Sequence, residues 1–127
     1  MKKKIIIAAL SVLSAFAIFS AACIGWFIYS TQYKLTDTGT EISPDGKYIV
    51  VFQMVGEPEW PFGATSVKVT VKETEDNRQL KVIDTSIQDD GAILSEYNWD
   101  VVWQSNIVKI TLKGSEQEDV IYAVPLQ

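Results

Sequence analysis

The sequence contains no histidine. That removes the commonest general base, the Ser–His and Cys–His nucleophile pairs, and most zinc and iron sites. Its one cysteine, Cys23, excludes a disulfide within the chain and any thiolate metal cluster. Four prolines and seven glycines in 127 residues are too few for collagen or a low-complexity linker. Hydrophobic residues make up 47% and charged residues 21%, which excludes a disordered acidic tail. No nucleophile elbow, P-loop or Ser-x-x-Lys pattern stands beyond the N-terminal apolar run. The expectation is a non-enzymatic protein with no metal site, no catalytic residues and no cofactor.

Acid is absent from Met1–Tyr33, whose only charges are Lys2, Lys3 and Lys4. Lys34–Gln127 therefore holds all 16 acids against the other eight bases, a net charge of −8 inside an overall −5. Such a split points to a membrane-facing or targeting N-terminus followed by an acidic domain. An acidic domain repels phosphate backbones, so nucleic acid is excluded as a partner.

What is present begins with a long apolar run. Ile5–Tyr29 has neither charge nor proline. Its roughly 25 residues span about 37 Å as a helix, enough to cross a bilayer core of ~30 Å with some tilt. The positive-inside rule keeps residues 1–4 in the cytoplasm, and Trp26, Tyr29 and Tyr33 fall where an outer aromatic belt belongs. The bilayer is then one partner, and the rest of the chain lies outside the cytoplasm. Two other readings share that location. The run followed by Ser20-Ala21-Ala22 resembles a cleavable signal peptide, and Cys23 directly after it gives a faint likeness to a lipoprotein signal. Ala17, Ala21 and Gly25 recur every fourth residue, a spacing that lets helices approach closely. Alanine common in such spans is the plainer explanation.

Residues 30–41 are polar and read as a tether. From residue 42 onward the pattern changes to period two, the strand signal. Ser43-Pro44-Asp45-Gly46 is a tight turn in which proline presets φ and glycine takes the positive-φ position. Lys47–Val55 reads as a strand, and Ser66–Lys72 alternates with its valines on one face. Glu75–Arg78 is a turn before a strand at Leu80–Thr85, and Asp89-Asp90-Gly91 is another turn. Trp99–Gln104, Ser105-Asn106 and Ile107–Lys113 read as a hairpin, and Val120–Val124 closes the chain. The predicted fold is all-β: a small antiparallel sandwich or curved meander of about six strands over 42–127, after one transmembrane helix over 5–29.

The basic N-terminus, single span, Ser43-Pro44-Asp45-Gly46-Lys47-Tyr48, and Trp103 followed by Val108-Lys109-Ile110 and Gly114 carry a resemblance. This combination is similar to small single-pass membrane proteins of Gram-positive bacteria that are grouped as a domain of unknown function. The resemblance implies a membrane-anchored extracytoplasmic β-domain and no particular chemistry.

Gly56-Glu57-Pro58-Glu59-Trp60-Pro61-Phe62-Gly63 is the most unusual segment. Its two prolines stiffen it, so Trp60 and Phe62, flanked by Glu57 and Glu59, are candidate anchors for a partner. The alternative is that both aromatics cap one end of a small core. Trp99 and Trp103 share a strand face. They are read as core, with a sugar platform as the rival. Paired acids such as Asp89 and Asp90, or Glu116, Glu118 and Asp119, are solvated turn charge, since nothing sets two of them across a cleft. The expectation is a binding module that contacts another cell-surface protein, with an immunity or inhibitor protein as a specific form. The alternative is an envelope structural or sensory accessory acting through its transmembrane helix.

Overall fold

Residues Lys2–Ile28 form helix α1, in a computed structural model that describes residues 1–59 and 63–126. The helix is apolar around its whole circumference, and none of its side chains is buried. With its extension to Tyr33 it has a mean hydropathy of 2.4 in its most apolar stretch. It is long and apolar enough to cross a bilayer, a property that a signal sequence shares. At its end, Tyr29–Tyr33 widens into a π-helical turn. There the Ser30 hydroxyl donates to the Trp26 carbonyl at 2.7 Å and the Thr31 hydroxyl to that of Phe27 at 2.8 Å.

Among the described residues seven strands follow: β1 (Leu35–Ile42), β2 (Tyr48–Val55), β3 (Thr65–Glu73), β4 (Gln79–Ile87), β5 (Trp99–Trp103), β6 (Ile107–Leu112) and β7 (Val120–Pro125). Two antiparallel meanders result, a four-stranded sheet in the order β1-β2-β3-β4 and a three-stranded sheet in the order β5-β6-β7. The strand that polarity concealed is β1. Leu35–Ile42, expected as tether up to residue 41, pairs along β2 from Leu35 opposite Val55 to Ile42 opposite Ile49. It lies at a sheet edge and keeps most of its side chains in water, so no apolar alternation marks it. Thr38 is the extra residue of a bulge between Asp37 and Gly39, and its hydroxyl donates to the Phe52 carbonyl at 2.9 Å. Only Lys34 therefore separates the helix from the sheet.

The turns follow local chemistry. At Ser43–Lys47 the Asp45 carboxylate accepts from the Ser43 hydroxyl at 2.6 Å and the Lys47 N–H at 3.0 Å, while Gly46 takes φ +74°. Asn77 takes φ 57° in the β3–β4 turn, where Arg78 pairs with Glu73. Ser105-Asn106 is the two-residue connection of the β5–β6 hairpin, closed by the Gln104 N–H on the Ile107 carbonyl.

The sheets share one core. Val50, Phe52 and Met54 of β2 and Val67, Val69 and Val71 of β3 meet Val108, Ile110 and Leu112 of β6. At its centre the Trp99 ring stacks on Phe52, 4.0 Å between centroids and 3° from parallel. The Trp99 indole N–H donates to the Glu41 carboxylate at 3.3 Å. Trp99 and Trp103 are therefore core and core-edge residues, as their strand face suggested. Gly39 lies against the same ring: a Cβ there would come within 2.7 Å of Trp99 Cζ2. On the other side of the sandwich the Tyr122 hydroxyl meets that of Thr85 at 3.3 Å.

Candidate functional site

Because each meander alternates direction, the connections sort to two ends. The β1–β2, β3–β4 and β5–β6 turns lie at the end remote from α1. At the helix end lie the β2–β3 loop (56–64), the crossover between the sheets (88–98) and the β6–β7 loop (113–119).

At the helix end the β2–β3 loop grips the end of α1. The Gly56 N–H donates to the Lys34 carbonyl at 2.7 Å and the Glu57 N–H to the Thr31 carbonyl at 2.8 Å. Gly56 is required there twice over. It sits at φ +69°, and a Cβ would collide with the Thr31 carbonyl. Phe27, Thr31, Gln32, Glu57, Pro58 and Glu59 line a cleft of about 360 Å³ between helix and loop. Gly56→Ala is expected to open this junction. Amide exchange at positions 56 and 57 in the full-length variant should then rise strongly over wild type, with the Val50 and Val69 amides unchanged. Unchanged protection at both junction amides would refute the clamp.

A polar network ties the three loops together. Buried Asn98 is its centre: its amide donates to the Asp89 carboxylate at 3.1 Å and the Lys113 carbonyl at 3.0 Å, and its oxygen accepts from the Ser95 N–H at 2.9 Å. Asp89 also accepts from the Ser115 N–H at 2.8 Å. These contacts, the Asn98 amide first, hold its carboxyl below the usual carboxylate range. Gln117 accepts from the Gln88 N–H at 2.7 Å. Gly114 is pressed onto the Gln88 carbonyl so closely that no Cβ fits. The crossover joins the β2–β3 loop through the Gly91 N–H on the Gly63 carbonyl at 3.2 Å and the Thr65 hydroxyl on the Ala92 carbonyl at 2.8 Å. Among the described residues no buried side-chain polar atom lacks a partner. The three loops, with a 3-10 turn at Glu96–Asn98 in the crossover, are thereby tied into one platform.

Of the residues singled out by sequence, Glu57 and Glu59 lie on this platform, both exposed. The loop closes on itself there, with the Glu59 N–H on the Ala64 carbonyl and the Gly63 N–H on the Glu59 carbonyl. Trp60 and Phe62 lie outside the described residues. Ala17, Ala21 and Gly25 lie on α1, and a Cβ at Gly25 would meet nothing within 4 Å. Phe27, on the loop side, stands six residues beyond Ala21, about 120° around the helix. The small-residue face is thus turned away from the loop. Asp89, read as solvated turn charge, is an acceptor in the network instead. Asn98 was missed entirely, because an asparagine before a strand carries no local signal of three partners in two loops. At the remote end, Ser43, Pro44, Asp45, Tyr48, Trp103 and Leu126 help line a second cleft of about 260 Å³.

Comparison of the chain with protein-family models, with curated proteins and with solved structures found no match.

Proposed function

We propose that this chain is a membrane-anchored, extracytoplasmic binding module that contacts another protein at the cell surface through the β2–β3 loop. An immunity or inhibitor protein is a specific form of this reading. One observation carries it: the loops at the helix end are held to one another and to α1 by hydrogen bonds, in part through buried Asn98, while Glu57 and Glu59 stay in water. Ordering paid in folding is not paid again in binding. In sequence Trp60 and Phe62 fall between Glu59 and Gly63, which are hydrogen-bonded to each other, and aromatic residues are the commonest hot spots of protein interfaces. The excess of acid in the domain would speed encounter with a basic partner and make that encounter salt-sensitive. The three N-terminal lysines support placing the domain outside.

Crosslinking in intact cells, followed by purification of tagged full-length protein, tests the reading. A stoichiometric partner is expected with wild type and is expected to be lost with Trp60→Ala. A partner retained by that variant, or none with wild type, counts against the loop as contact.

The second reading, an envelope accessory acting through α1, is favoured by the hydrogen-bonded junction of Thr31 and Lys34 with Glu57 and Gly56. A helix clamped to its domain transmits tilt and rotation, which a tether would absorb. Exchanging residues 5–28 for an unrelated apolar helix separates the two. Partner capture survives the exchange if the loop is the contact and disappears if the Ala17/Ala21/Gly25 face is.

A further inference from the structure

The platform shows apolar side chains that its own fold leaves outside. Ile93 is 68% exposed and Tyr97 83% exposed, both on the crossover. Neither is outward through looseness. Leu94 and Asn98 beside them are buried, and the backbone just before Ile93 is fixed on Gly63 and Thr65. At the same end, Glu57, Pro58 and Glu59 share a cleft with Phe27, in the last turn of α1. The loop therefore stands level with the last apolar turn of α1. That level is marked by exposed Trp26, Tyr29 and Tyr33, with the Lys34 ammonium 6.0 Å from the Trp26 ring. Amphipathic aromatics and the first charge after an apolar helix belong at a lipid–water boundary.

We propose that, with α1 across a bilayer, the helix end of the β-domain rests on the lipid surface, with Ile93 and Tyr97 among the headgroups. The single-residue link at Lys34 and the Gly56–Lys34 and Glu57–Thr31 hydrogen bonds set the height, since they leave no slack for the domain to stand away. An exposed isoleucine and an exposed tyrosine on one loop are side chains that a lipid–water interface accepts. Charge selects the lipid. The three loops hold Glu57, Glu59, Asp89, Asp90, Glu96, Glu116, Glu118 and Asp119 against the single base Lys113, which pairs with Asp100. The seat therefore favours zwitterionic headgroups and loosens on anionic ones, most at low salt. This goes beyond the reading above and requires no protein partner, so its failure leaves that reading standing, while its success limits the β2–β3 loop to a partner met at the lipid surface.

The test uses the full-length chain with Cys23→Ser in phosphatidylcholine vesicles. A single fluorescent label is placed by Ile93→Cys, Tyr97→Cys or, at the remote β3–β4 turn, Glu75→Cys. Nitroxide-bearing lipids are expected to quench the labels at 93 and 97 and spare the one at 75, with iodide giving the opposite order. Adding phosphatidylglycerol at low salt is expected to weaken the lipid quenching at 93 and 97. Iodide reaching 93 and 97 as readily as 75 would overturn the proposal. So would shielding from iodide without lipid quenching, which would assign the face to a second copy of the chain.

Discussion

Trp99→Ala is expected to destabilise the β-domain by about 3–5 kcal/mol, the usual cost of truncating a buried tryptophan. The ring fills the centre of the core against Phe52 and spends its indole N–H on Glu41, so its loss leaves both a cavity and an unmatched carboxylate. Thermal unfolding of the full-length protein in detergent checks this. A domain of this size loses roughly 4–8 °C per kcal/mol. The informative arm is Gly39. A methyl there would come within 2.7 Å of the ring, and the ring cannot retreat because Phe52 lies against it. Gly39→Ala alone should therefore cost about 1–3 kcal/mol, as overpacking does. In the Trp99→Ala background the same change should cost nothing or stabilise slightly, because alanine suits an extended strand better than glycine. Equal costs in both backgrounds would show that Gly39 is not there to admit the ring.

Asn98→Ala should be the most damaging change outside the core, at about 2–4 kcal/mol, because it strips partners from several groups at once. Asp89, the Lys113 carbonyl and the Ser95 N–H each lose a hydrogen bond, and the crossover and β6–β7 loop lose their common tie. The pH dependence separates this from a packing defect. The folded chain holds the Asp89 carboxyl below its ordinary value of 3.8, with the Asn98 amide as the first cause. Near pH 4 the unfolded chain takes up a proton that the folded chain still refuses. Stability from this group is complete above that value and is lost as pH falls through the folded pKa. Wild type should therefore lose stability over that acid window more steeply than Asn98→Ala, as read by unfolding midpoints from pH 7 downward. Parallel curves would mean that the Asn98 amide does not hold the carboxylate.

The core was legible because its signal is local. Val67, Val69 and Val71 alternate with polar residues on β3, and Trp99, Val101 and Trp103 alternate with exposed Asp100 and Val102 on β5, since one face of each strand is turned to the core. Ser43-Pro44-Asp45-Gly46 and Ser105-Asn106 announced turns because φ preferences and Asx hydrogen bonds act over neighbouring residues. The apolar helix needed no partner to be recognised. β1 escaped because an edge strand in water has no apolar period. Its place is set by pairing with β2 and by Gly39 yielding to a ring far along the chain, where Glu41 and Trp99 meet across 58 residues of sequence.

The platform at the helix end belongs wholly to the tertiary structure. Gly56 looks like any loop glycine until Thr31 is found against it, and Asp89 looks like free charge until Asn98 and Ser115 donate to it. By itself the sequence determined an apolar helix, an acidic β-domain and the turns of that domain, because propensity, periodicity and charge act between near neighbours. Only the folded chain decided that the helix joins the sheet without a tether and that three loops form one surface. Those outcomes depend on contacts between residues remote in sequence, which leave no pattern in any one stretch of it.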